Sequence, residues 1–253
     1  MSKSLAVVVM AAGKGTRMND PSIAKVMYEI NGRPLIGHVA DLAARIKSER
    51  TVVVVGWQKD SVISYLARRY PVVVCVEQSP QLGTGHAVMQ AEDELRDCTG
   101  DVLVLSGDVP MLTEATVHRL VSEHQSAGAD VTVLTAELPD ATGYGRILRN
   151  DAGEVVAIVE EKDARPEQRK IREINSGIYV FDKSRLFDGL KHVTPGNVQK
   201  EYYLTDLLGY YWKRKGTVRA VLASDPVEIQ GINTMLQLEE ARREMEKQGA
   251  GKR

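Results

Sequence analysis

Short apolar runs rich in β-branched residues alternate with amphipathic segments through the first half of the chain. The apolar runs lie at residues 5–10, 51–55, 72–76, 102–106 and 131–135. Each run is nearly continuous, which is typical of strands buried on both faces of a parallel sheet. The pattern therefore predicts a series of parallel strands.

The segments between these runs place apolar residues at helical spacing. A first helix is predicted after Pro34, where Leu35, Val39 and Leu42 fall on one face. Further helices are predicted around residues 62–66, 87–95 and 113–128. Strands and helices that alternate with short connections predict a doubly wound α/β fold, with a mostly parallel, Rossmann-like sheet and right-handed crossovers.

The second half of the chain is less regular. Residues 143–146 predict a turn, 155–160 and 178–181 predict strands, and 204–215 and 235–247 predict helices. The charged segment 162–172 predicts a mobile flap, and residues 249–253 predict a disordered tail. Since no linker divides the chain, we expect one domain over residues 1–248.

Composition and charge exclude several classes of partner. A net charge of −1 gives no basis for binding nucleic acid or a membrane surface. Aromatic residues make up 5% of the chain and do not cluster among basic residues, so a stacking platform for bases is not expected. No apolar stretch approaches the ~20 residues that span a bilayer. Cys75 and Cys98 form neither a disulfide framework nor a metal cluster, and we expect a cytoplasmic protein.

The first predicted strand runs into a loop of small and basic residues, AAGKGTR at 11–17. Small residues let main-chain amides approach phosphate oxygens, and Lys14 and Arg17 offset phosphate charge. The loop is not a dinucleotide fingerprint, because Met18 stands where that motif needs glycine, and the chain has no Walker loop. It indicates a nucleoside triphosphate site, with a simple tight turn as the competing interpretation.

Polar residues also follow two later strands, and ligands bind at the carboxyl ends of strands in open parallel sheets. Asp108 follows the fourth strand, and Thr113 is the better cap for the next helix. Asp108 is therefore a candidate ligand for Mg²⁺, which a triphosphate enzyme needs. Gln78 follows the third strand and offers an amide donor and acceptor, which suit an imide edge such as that of uracil.

A second loop of small residues, QLGTGHA at 81–87, opens the third predicted helix. Its main chain suits a base edge or a phosphate at the helix start. His86 in this loop is a candidate general base, and local packing or capping is the competing interpretation.

A series of motifs carries a resemblance to a known family: LxxxxMAAGKGTRM, Lys25, QLGTGHA, SGDVP, GYGRI, IVEEKDA, EINSGIYVF, EYYLTD and GIN. Together they resemble the uridylyltransferase domain of the bifunctional N-acetylglucosamine-1-phosphate uridyltransferase/glucosamine-1-phosphate acetyltransferase family, from Leu5 to about Glu246. The resemblance implies a nucleotidyltransferase fold, with a nucleotide-binding part at about 1–110 and a sugar-binding part at about 111–248. It also implies a reaction of UTP with N-acetyl-α-D-glucosamine 1-phosphate that gives UDP-N-acetylglucosamine and pyrophosphate.

The resemblance also implies a role for each matching position. Arg17, Lys25 and Asp108 would be catalytic, and Asp108 and Asn233 would hold Mg²⁺. The nucleotide would contact Ala11, Ala12, Gly13, Lys14, Gln78, Gly83, Thr84, Ser106 and Gly107, with Gln78, Gly83 and Thr84 at the uracil. The sugar would contact Gly145, Glu160, Asn175, Tyr202 and Thr205, with Glu160 and Asn175 at the N-acetylglucosamine group.

Several of these positions also have a purely structural interpretation. Glu160 begins a charged run of the kind that is usually solvated, and Asn175 precedes Ser-Gly as in a simple turn. Asn233 precedes a helix and suits an N-cap. Of the neighbouring tyrosines at 202 and 203, we expect Tyr203 to pack in the core.

The chain departs from the family pattern in three places. Ser106 stands where the enterobacterial members have tyrosine, so a tyrosine contact there is lost. The approach to Lys25, DPSIAK, differs from the usual Leu-Pro-Lys. The chain stops before the family's β-helix of hexapeptide repeats, so we expect neither the acetyltransferase activity nor the trimer that this β-helix builds, and no other pattern predicts an oligomeric state. Three alternatives stay open: a nucleotidyltransferase for another sugar 1-phosphate or base, a non-catalytic nucleotide-binding module, and a piece of the longer bifunctional protein rather than a stand-alone enzyme.

Overall fold

The apolar runs of the first half form strands in the computed structural model, which describes residues 3–18 and 20–250, the last three of these by their main chain only. Within these residues the strands are β1 (Leu5–Ala11), β2 (Glu29–Ile30), β3 (Arg33–Pro34), β4 (Arg50–Val55), β5 (Val74–Glu77), β6 (Asp101–Ser106), β7 (Val131–Glu137), β8 (Arg146–Arg149), β9 (Val155–Val159), β10 (Glu173–Asp182) and β11 (Val218–Leu222).

The helices follow the amphipathic segments. They are α1 (Leu35–Arg45), α2 (Lys59–Arg69), α3 (Thr84–Met89), α4 (Glu114–Ala127), α5 (Lys183–Leu190), α6 (Asp206–Lys213) and α7 (Met235–Ala250). Thr113 caps α4 as predicted, since its side chain accepts a hydrogen bond from the amide of Thr116. Gly128, with φ of 56°, ends the same helix in the left-handed conformation.

The main sheet has the strand order β11-β7-β10-β6-β1-β4-β5. β1 is parallel to both β4 and β6, β4 is parallel to β5, and β7 is parallel to β11. β10 runs antiparallel to β6 and β7, and the hairpin of β8 and β9 joins the sheet through it. The predicted doubly wound, mostly parallel sheet is confirmed, with one antiparallel strand inserted.

Helices cover both faces of the sheet. Val7 and Val9 of β1 lie in a core shared with α1, α2 and α4, whereas Ala6 and Val8 lie in a second core shared with α3, α5 and α6. All four of these strand residues are buried. Burial on both sides explains why the strand sequences are continuously apolar rather than alternating.

Other predicted elements differ in extent. α3 ends at Met89, earlier than predicted, and residues 90–97 form turns. The predicted flap contains a 3-10 turn, Gln168–Lys170, and Arg146 Nε donates to the Ile171 carbonyl at 3.1 Å. α7 continues to Ala250, so the predicted tail begins inside this helix, and its residues 251–253 lie outside the described part of the chain.

The carboxyl ends of the central strands meet at one edge of the sheet. Met10 is paired with Ser106, and Ala11 is paired with Val55. Val55 is paired in turn with Glu77. The loops after β6, β1, β4 and β5 therefore begin along the same edge of the sheet, where ligands bind in open parallel sheets.

The opposite edge holds a buried polar cluster. Asp101 is fully buried at the start of β6 and accepts a hydrogen bond from Gln125 Nε2 at 2.9 Å. His124 Nε2 lies 3.5 Å from the same carboxylate, and Lys3 Nζ lies 3.4 Å from it. Burial opposes ionisation of Asp101, but these neighbours outweigh it and hold the pKa of the carboxyl below its ordinary value.

Two further findings concern the expectations from composition. In the described part of the chain, no helix combines the length and the apolar character needed to cross a membrane. Cys75 and Cys98 are both free, and burial raises the pKa of each thiol.

Candidate active site

A cavity of about 500 Å³ opens at the edge where the strands end. Its walls include eight predicted nucleotide contacts and two predicted catalytic residues: Ala11, Ala12, Gly13, Lys14, Gln78, Gly83, Thr84, Ser106, Lys25 and Asp108. Gly107 lies beside this wall, with its amide donating to the Met10 carbonyl at 2.9 Å. Arg17 is exposed and does not line the cavity.

The loop after β1 folds tightly over Lys25. Gly15 has φ of 60°, and a Cβ built there would lie 2.7 Å from Cβ of Lys25, so only glycine fits without a shift. The Met18 amide closes the turn by donating to the Gly15 carbonyl at 2.9 Å. Lys14 Nζ lies 5.4 Å from the centre of the Trp57 ring, so this cation stands at the rim of the cavity.

Lys25, Asp108 and Asn233 form a cluster that we call the cationic centre. Lys25 Nζ lies 2.5 Å from Asp108 Oδ2 and donates to Asn233 Oδ1 at 3.0 Å. The Ile232 amide donates to the Asp108 carbonyl at 2.9 Å and so docks the loop that carries Asn233. Two oxygens from distant parts of the chain thus converge on one positive charge.

The donor set of the cationic centre suits Mg²⁺. Carboxylate and amide oxygens are the ligands this ion prefers, and the ammonium of Lys25 already occupies a position between them. Among the described residues, no group of three or more His, Cys, Asp or Glu side chains is arranged to hold a metal. A cation at this centre would therefore draw its remaining ligands from phosphate and water.

Asn233 is not needed as the cap of α7. The amide of Gln237 donates to Thr234 Oγ1 at 3.2 Å, so Thr234 caps this helix. Asn233 instead receives support from Gln237, whose Oε1 accepts from the Asn233 amide at 2.8 Å. The side-chain oxygen of Asn233 is thereby left for the cationic centre.

Gln78 presents fewer hydrogen-bonding groups to a ligand than the sequence analysis predicts. Its Nε2 donates to the Gly83 carbonyl at 2.9 Å and lies 3.2 Å from His86 Nδ1. Because a carbonyl can only accept, the amide nitrogen must face Gly83. Oε1 accepts no hydrogen bond within the described residues, so Gln78 offers a ligand an acceptor rather than both groups.

The start of α3, with Gly83 before it, is hydrogen-bonded to residues 202–204, which precede α6, and we call this contact the clamp. The Gly85 amide donates to the Tyr202 carbonyl at 2.7 Å, and the Leu204 amide donates to Thr84 Oγ1 at 3.0 Å. Gly83 has φ of 104°, and a Cβ there would lie 2.7 Å from the Tyr202 carbonyl oxygen. His86 packs in this clamp, and burial lowers the pKa of its ring. Its contacts with Gln78 favour the packing interpretation over a general base.

Four of the predicted sugar contacts form a second cluster. A Cβ built on Gly145 would lie 3.4 Å from both Asn175 Cβ and Glu160 Oε2. Thr205 Oγ1 donates to Glu160 Oε1 at 3.0 Å, and burial raises the pKa of Glu160. Glu160 is therefore not a solvated surface charge. Tyr202, the fifth residue, lies apart on the clamp, with its ring 6.2 Å from that of His86.

Asn175 lies in β10 at a break in register with β7, not in an isolated turn. The neighbouring Gly177 carbonyl accepts from Ser106 Oγ at 3.3 Å. This bond links the cluster of predicted sugar contacts, which we call the sugar cluster, to the wall of the cavity. Tyr203 is buried, as predicted, and its hydroxyl donates to Asp163 at 3.2 Å.

Sequence reasoning missed Tyr144 in the turn before β8. This side chain is half-buried, and burial, together with the charge of Asp108, raises the pKa of its hydroxyl. An aromatic residue between two glycines was the available signal.

A sequence model of the family described as MobA-like NTP transferase domain matches residues 7–178 of the chain. The chain belongs to this family. The matched part of the NTP transferase domain begins in β1 and ends in β10, so it contains the predicted phosphate loop at 11–17, Asp108 and Asn175.

Relatives of this NTP transferase domain include several proteins named bifunctional protein GlmU. The protein from Heliobacterium modesticaldum is 49% identical over 235 residues, covering 92% of this chain and 50% of that protein. The proteins from Streptomyces avermitilis and Brevibacillus brevis are 49% and 46% identical over 94% and 98% of this chain, and over 50% and 52% of their own lengths. The chain thus spans about half the length of these curated relatives.

Solved structures share the fold. A UDP-glucose pyrophosphorylase complexed with UDP-glucose has a TM-score of 0.77 at 22% identity, covering 98% of this chain and 100% of that one. A putative glucose-1-phosphate thymidylyltransferase from Bacillus anthracis, in complex with a sucrose, has a TM-score of 0.76 at 18% identity, covering 95% and 94%. These likenesses confirm the predicted fold of this NTP transferase domain.

Proposed function

We propose that the chain transfers the uridylyl group of UTP to N-acetyl-α-D-glucosamine 1-phosphate, giving UDP-N-acetylglucosamine and pyrophosphate. The observation that carries this proposal is the meeting of the phosphate loop and the cationic centre in one cavity. Membership of the NTP transferase family and the identity of 43–49% to proteins named GlmU support it.

In this mechanism an oxygen of the sugar phosphate attacks the α-phosphorus of UTP. A phosphorus–oxygen bond forms, the bond to the β-phosphate bridge breaks in line with it, and pyrophosphate leaves. The sugar phosphate is already a nucleophile, so the residues need not supply a strong base or form a covalent intermediate. Their main task is to position two polyanions against their repulsion.

Each positive side chain would contact a different part of the phosphates, according to its place in the cavity. Lys25 lies in the cavity, where it would contact the reacting phosphates, and Lys14 at the rim would contact the triphosphate with the main-chain amides of Ala11, Ala12 and Gly13. Arg17 on the exposed loop would reach the triphosphate from outside. Asp108 and Asn233 would hold Mg²⁺, which when bound supplies positive charge against the phosphates.

The base and the sugar would contact the remaining residues. Oε1 of Gln78 suits the N3–H of uracil, whereas cytosine has an acceptor at that position, so the geometry favours UTP over CTP. Gly83, Thr84, Ser106 and Gly107 would complete the nucleotide contacts. Gly145, Glu160, Asn175, Tyr202 and Thr205 would bind the sugar. We also propose that the chain acts in the cytoplasm, where free thiols such as Cys75 persist.

The direct test is pyrophosphate release from UTP with N-acetylglucosamine 1-phosphate, with and without Mg²⁺, and with the nucleotide sugar identified by mass spectrometry. We expect release that depends on both substrates and on the metal. Parallel reactions with CTP, dTTP and other sugar 1-phosphates test the choice of base and sugar. Binding of UDP-N-acetylglucosamine without turnover of any pair would contradict the proposal and favour a non-catalytic module.

A further inference from the structure

The carboxamide oxygen of Asn175 is fully engaged by the protein. Oδ1 accepts from the Gly177 amide at 3.0 Å and from the Tyr179 hydroxyl at 2.9 Å. A carboxamide oxygen has two lone pairs, and both are used here. Both donors belong to β10, the strand that carries Asn175 itself.

These two contacts fix which way the carboxamide faces. A main-chain N–H can only donate, so the atom that faces Gly177 must be the oxygen and cannot be Nδ2. The Tyr179 side chain is 2% exposed, and burial raises the pKa of its hydroxyl, which therefore keeps its proton and donates. Reversing the carboxamide would set its NH₂ group against the Gly177 N–H, which cannot accept, so a single orientation is held.

The amide nitrogen is the group left for a ligand. Nδ2 makes no hydrogen bond within the described residues, and the Asn175 side chain is only half-buried. Asn175 flanks Gly145 opposite Glu160, in the cluster where the proposed function puts the sugar. A ligand group at Asn175 therefore meets a donor and must itself accept.

We propose that Tyr179 is a positioning residue that, with the Gly177 amide, holds Asn175 as a hydrogen-bond donor and so selects an acceptor on the sugar. The acceptor is the carbonyl oxygen of an acetamido group, and the rejected group is the ammonium of a free amino sugar. This inference rests on the proposed function. It adds a cause for discrimination, because an ammonium facing Nδ2 leaves two donors unpaired, and buried unpaired groups penalise the wrong substrate strongly.

The first test is Tyr179→Phe, which removes the hydroxyl and keeps the ring. The measured quantity is the ratio of kcat/KM for N-acetylglucosamine 1-phosphate to that for glucosamine 1-phosphate. We expect the ratio to fall about threefold to tenfold, the effect of losing one neutral hydrogen bond. The KM for the acetylated sugar should rise while kcat changes little, since the contact exists before the reaction begins.

A matched control is Tyr211→Phe. Tyr211 is also a buried tyrosine, 5% exposed, and its hydroxyl donates to the Arg185 carbonyl, away from the sugar cluster. Both variants should lose some thermal stability, and only Tyr179→Phe should change the substrate ratio. A merely structural role of Tyr179 would lower both substrates' rates together and leave the ratio as it is.

The second test is Asn175→Asp, which keeps one oxygen to accept from Gly177 and Tyr179 and replaces the Nδ2 donor by a second oxygen that can only accept. We expect the ratio to shift tenfold or more toward glucosamine 1-phosphate, whose ammonium now meets a carboxylate. If Tyr179→Phe fails to fold, this variant still tests whether Asn175 presents a donor to the sugar, and an unchanged ratio would refute the inference.

The outcomes separate the two proposals. If the native chain uses the acetylated sugar and either variant leaves the ratio unchanged, the inference on Tyr179 is wrong and the proposed function stands. If the native chain makes no nucleotide sugar from UTP and either sugar phosphate, the proposed function is wrong and the inference fails with it.

Discussion

Replacing Asp108 by asparagine removes one negative charge from the cationic centre and keeps the shape of the side chain. Lys25 Nζ lies 2.5 Å from Asp108 Oδ2, and Asn233 supplies only a neutral oxygen at 3.0 Å. Among the three side chains of the centre, Asp108 carries the one negative charge. Asp108→Asn therefore leaves two neutral oxygens to hold a divalent cation.

The expected loss follows from the geometry. The side chains of Lys25 and Asp108 are each 15% exposed, so water screens their charges less than those of a surface pair. Loss of one preorganised charge-stabilising group costs about 2.7–4 kcal/mol in the transition state, or on the order of 10²–10³-fold in kcat. The folded state should lose only about 1 kcal/mol, because asparagine still hydrogen-bonds Lys25 and the cavity admits water.

Two measurements separate these effects. Pyrophosphate release at increasing Mg²⁺ gives kcat and the apparent metal affinity, and urea unfolding gives the stability. Asp41→Asn is a suitable control, because Asp41 is ion-paired to Arg33 and accepts from the Tyr70 hydroxyl but does not line the cavity. We expect the control to lose a similar amount of stability and to keep its turnover. Near-normal turnover of Asp108→Asn at saturating Mg²⁺ would remove Asp108 from the mechanism.

Three other predictions concern the base, the clamp and the buried polar edge. Gln78→Leu, which lacks the acceptor Oε1, should reduce the preference for UTP over CTP in kcat/KM about tenfold, and an unchanged preference would show that Gln78 does not contact the base. Gly83→Ala should raise the KM for UTP and cost about 1–3 kcal/mol in urea unfolding, because φ of 104° and the Tyr202 carbonyl leave no room for a methyl group; wild-type stability would contradict this. The pKa of Asp101 is lower in the folded chain than in the unfolded one, so its contribution to stability is complete above about pH 4 and is lost as the pH falls further. Asp101→Asn should flatten this acid dependence of the urea midpoint, and an equal slope in both proteins would show that other carboxyl groups cause it.

The strands of the first half could be predicted because their apolar character is local. β10 could be predicted only in part. Asn175, Ser176 and Gly177 interrupt its apolar pattern at the break in register, and its antiparallel pairing with β6 and β7 depends on contacts between distant segments. β11 was missed for another reason: it is an edge strand, and its last residue, Leu222, is exposed.

In the candidate site, too, local features could be predicted from residue types and contacts between distant segments could not. The phosphate loop is one continuous segment, so its residue types alone indicate its chemistry. The convergence of Asp108 and Asn233 on Lys25 joins three distant segments. The family resemblance predicted that Asp108 and Asn233 meet at Mg²⁺, but it placed Lys25 at the reacting phosphates and did not predict its contacts with these two side chains. Residue types also could not predict that the side-chain amide of Gln78 donates to the Gly83 carbonyl, because this bond depends on the conformation of the loop that contains Gly83.

The antiparallel strand β10 restricts how the strands beside the cavity can move relative to one another. It is hydrogen-bonded along one side to β6, next to the nucleotide loops, and along the other to β7. Over residues 179–182 the strands near the proposed nucleotide and sugar sites are therefore joined by backbone hydrogen bonds, and a hinge motion between the two proposed sites would have to break these bonds. If the proposed reaction requires the cavity to open, we expect the motion in the loops that line it, such as those at 11–17 and 81–83, and not in the strands.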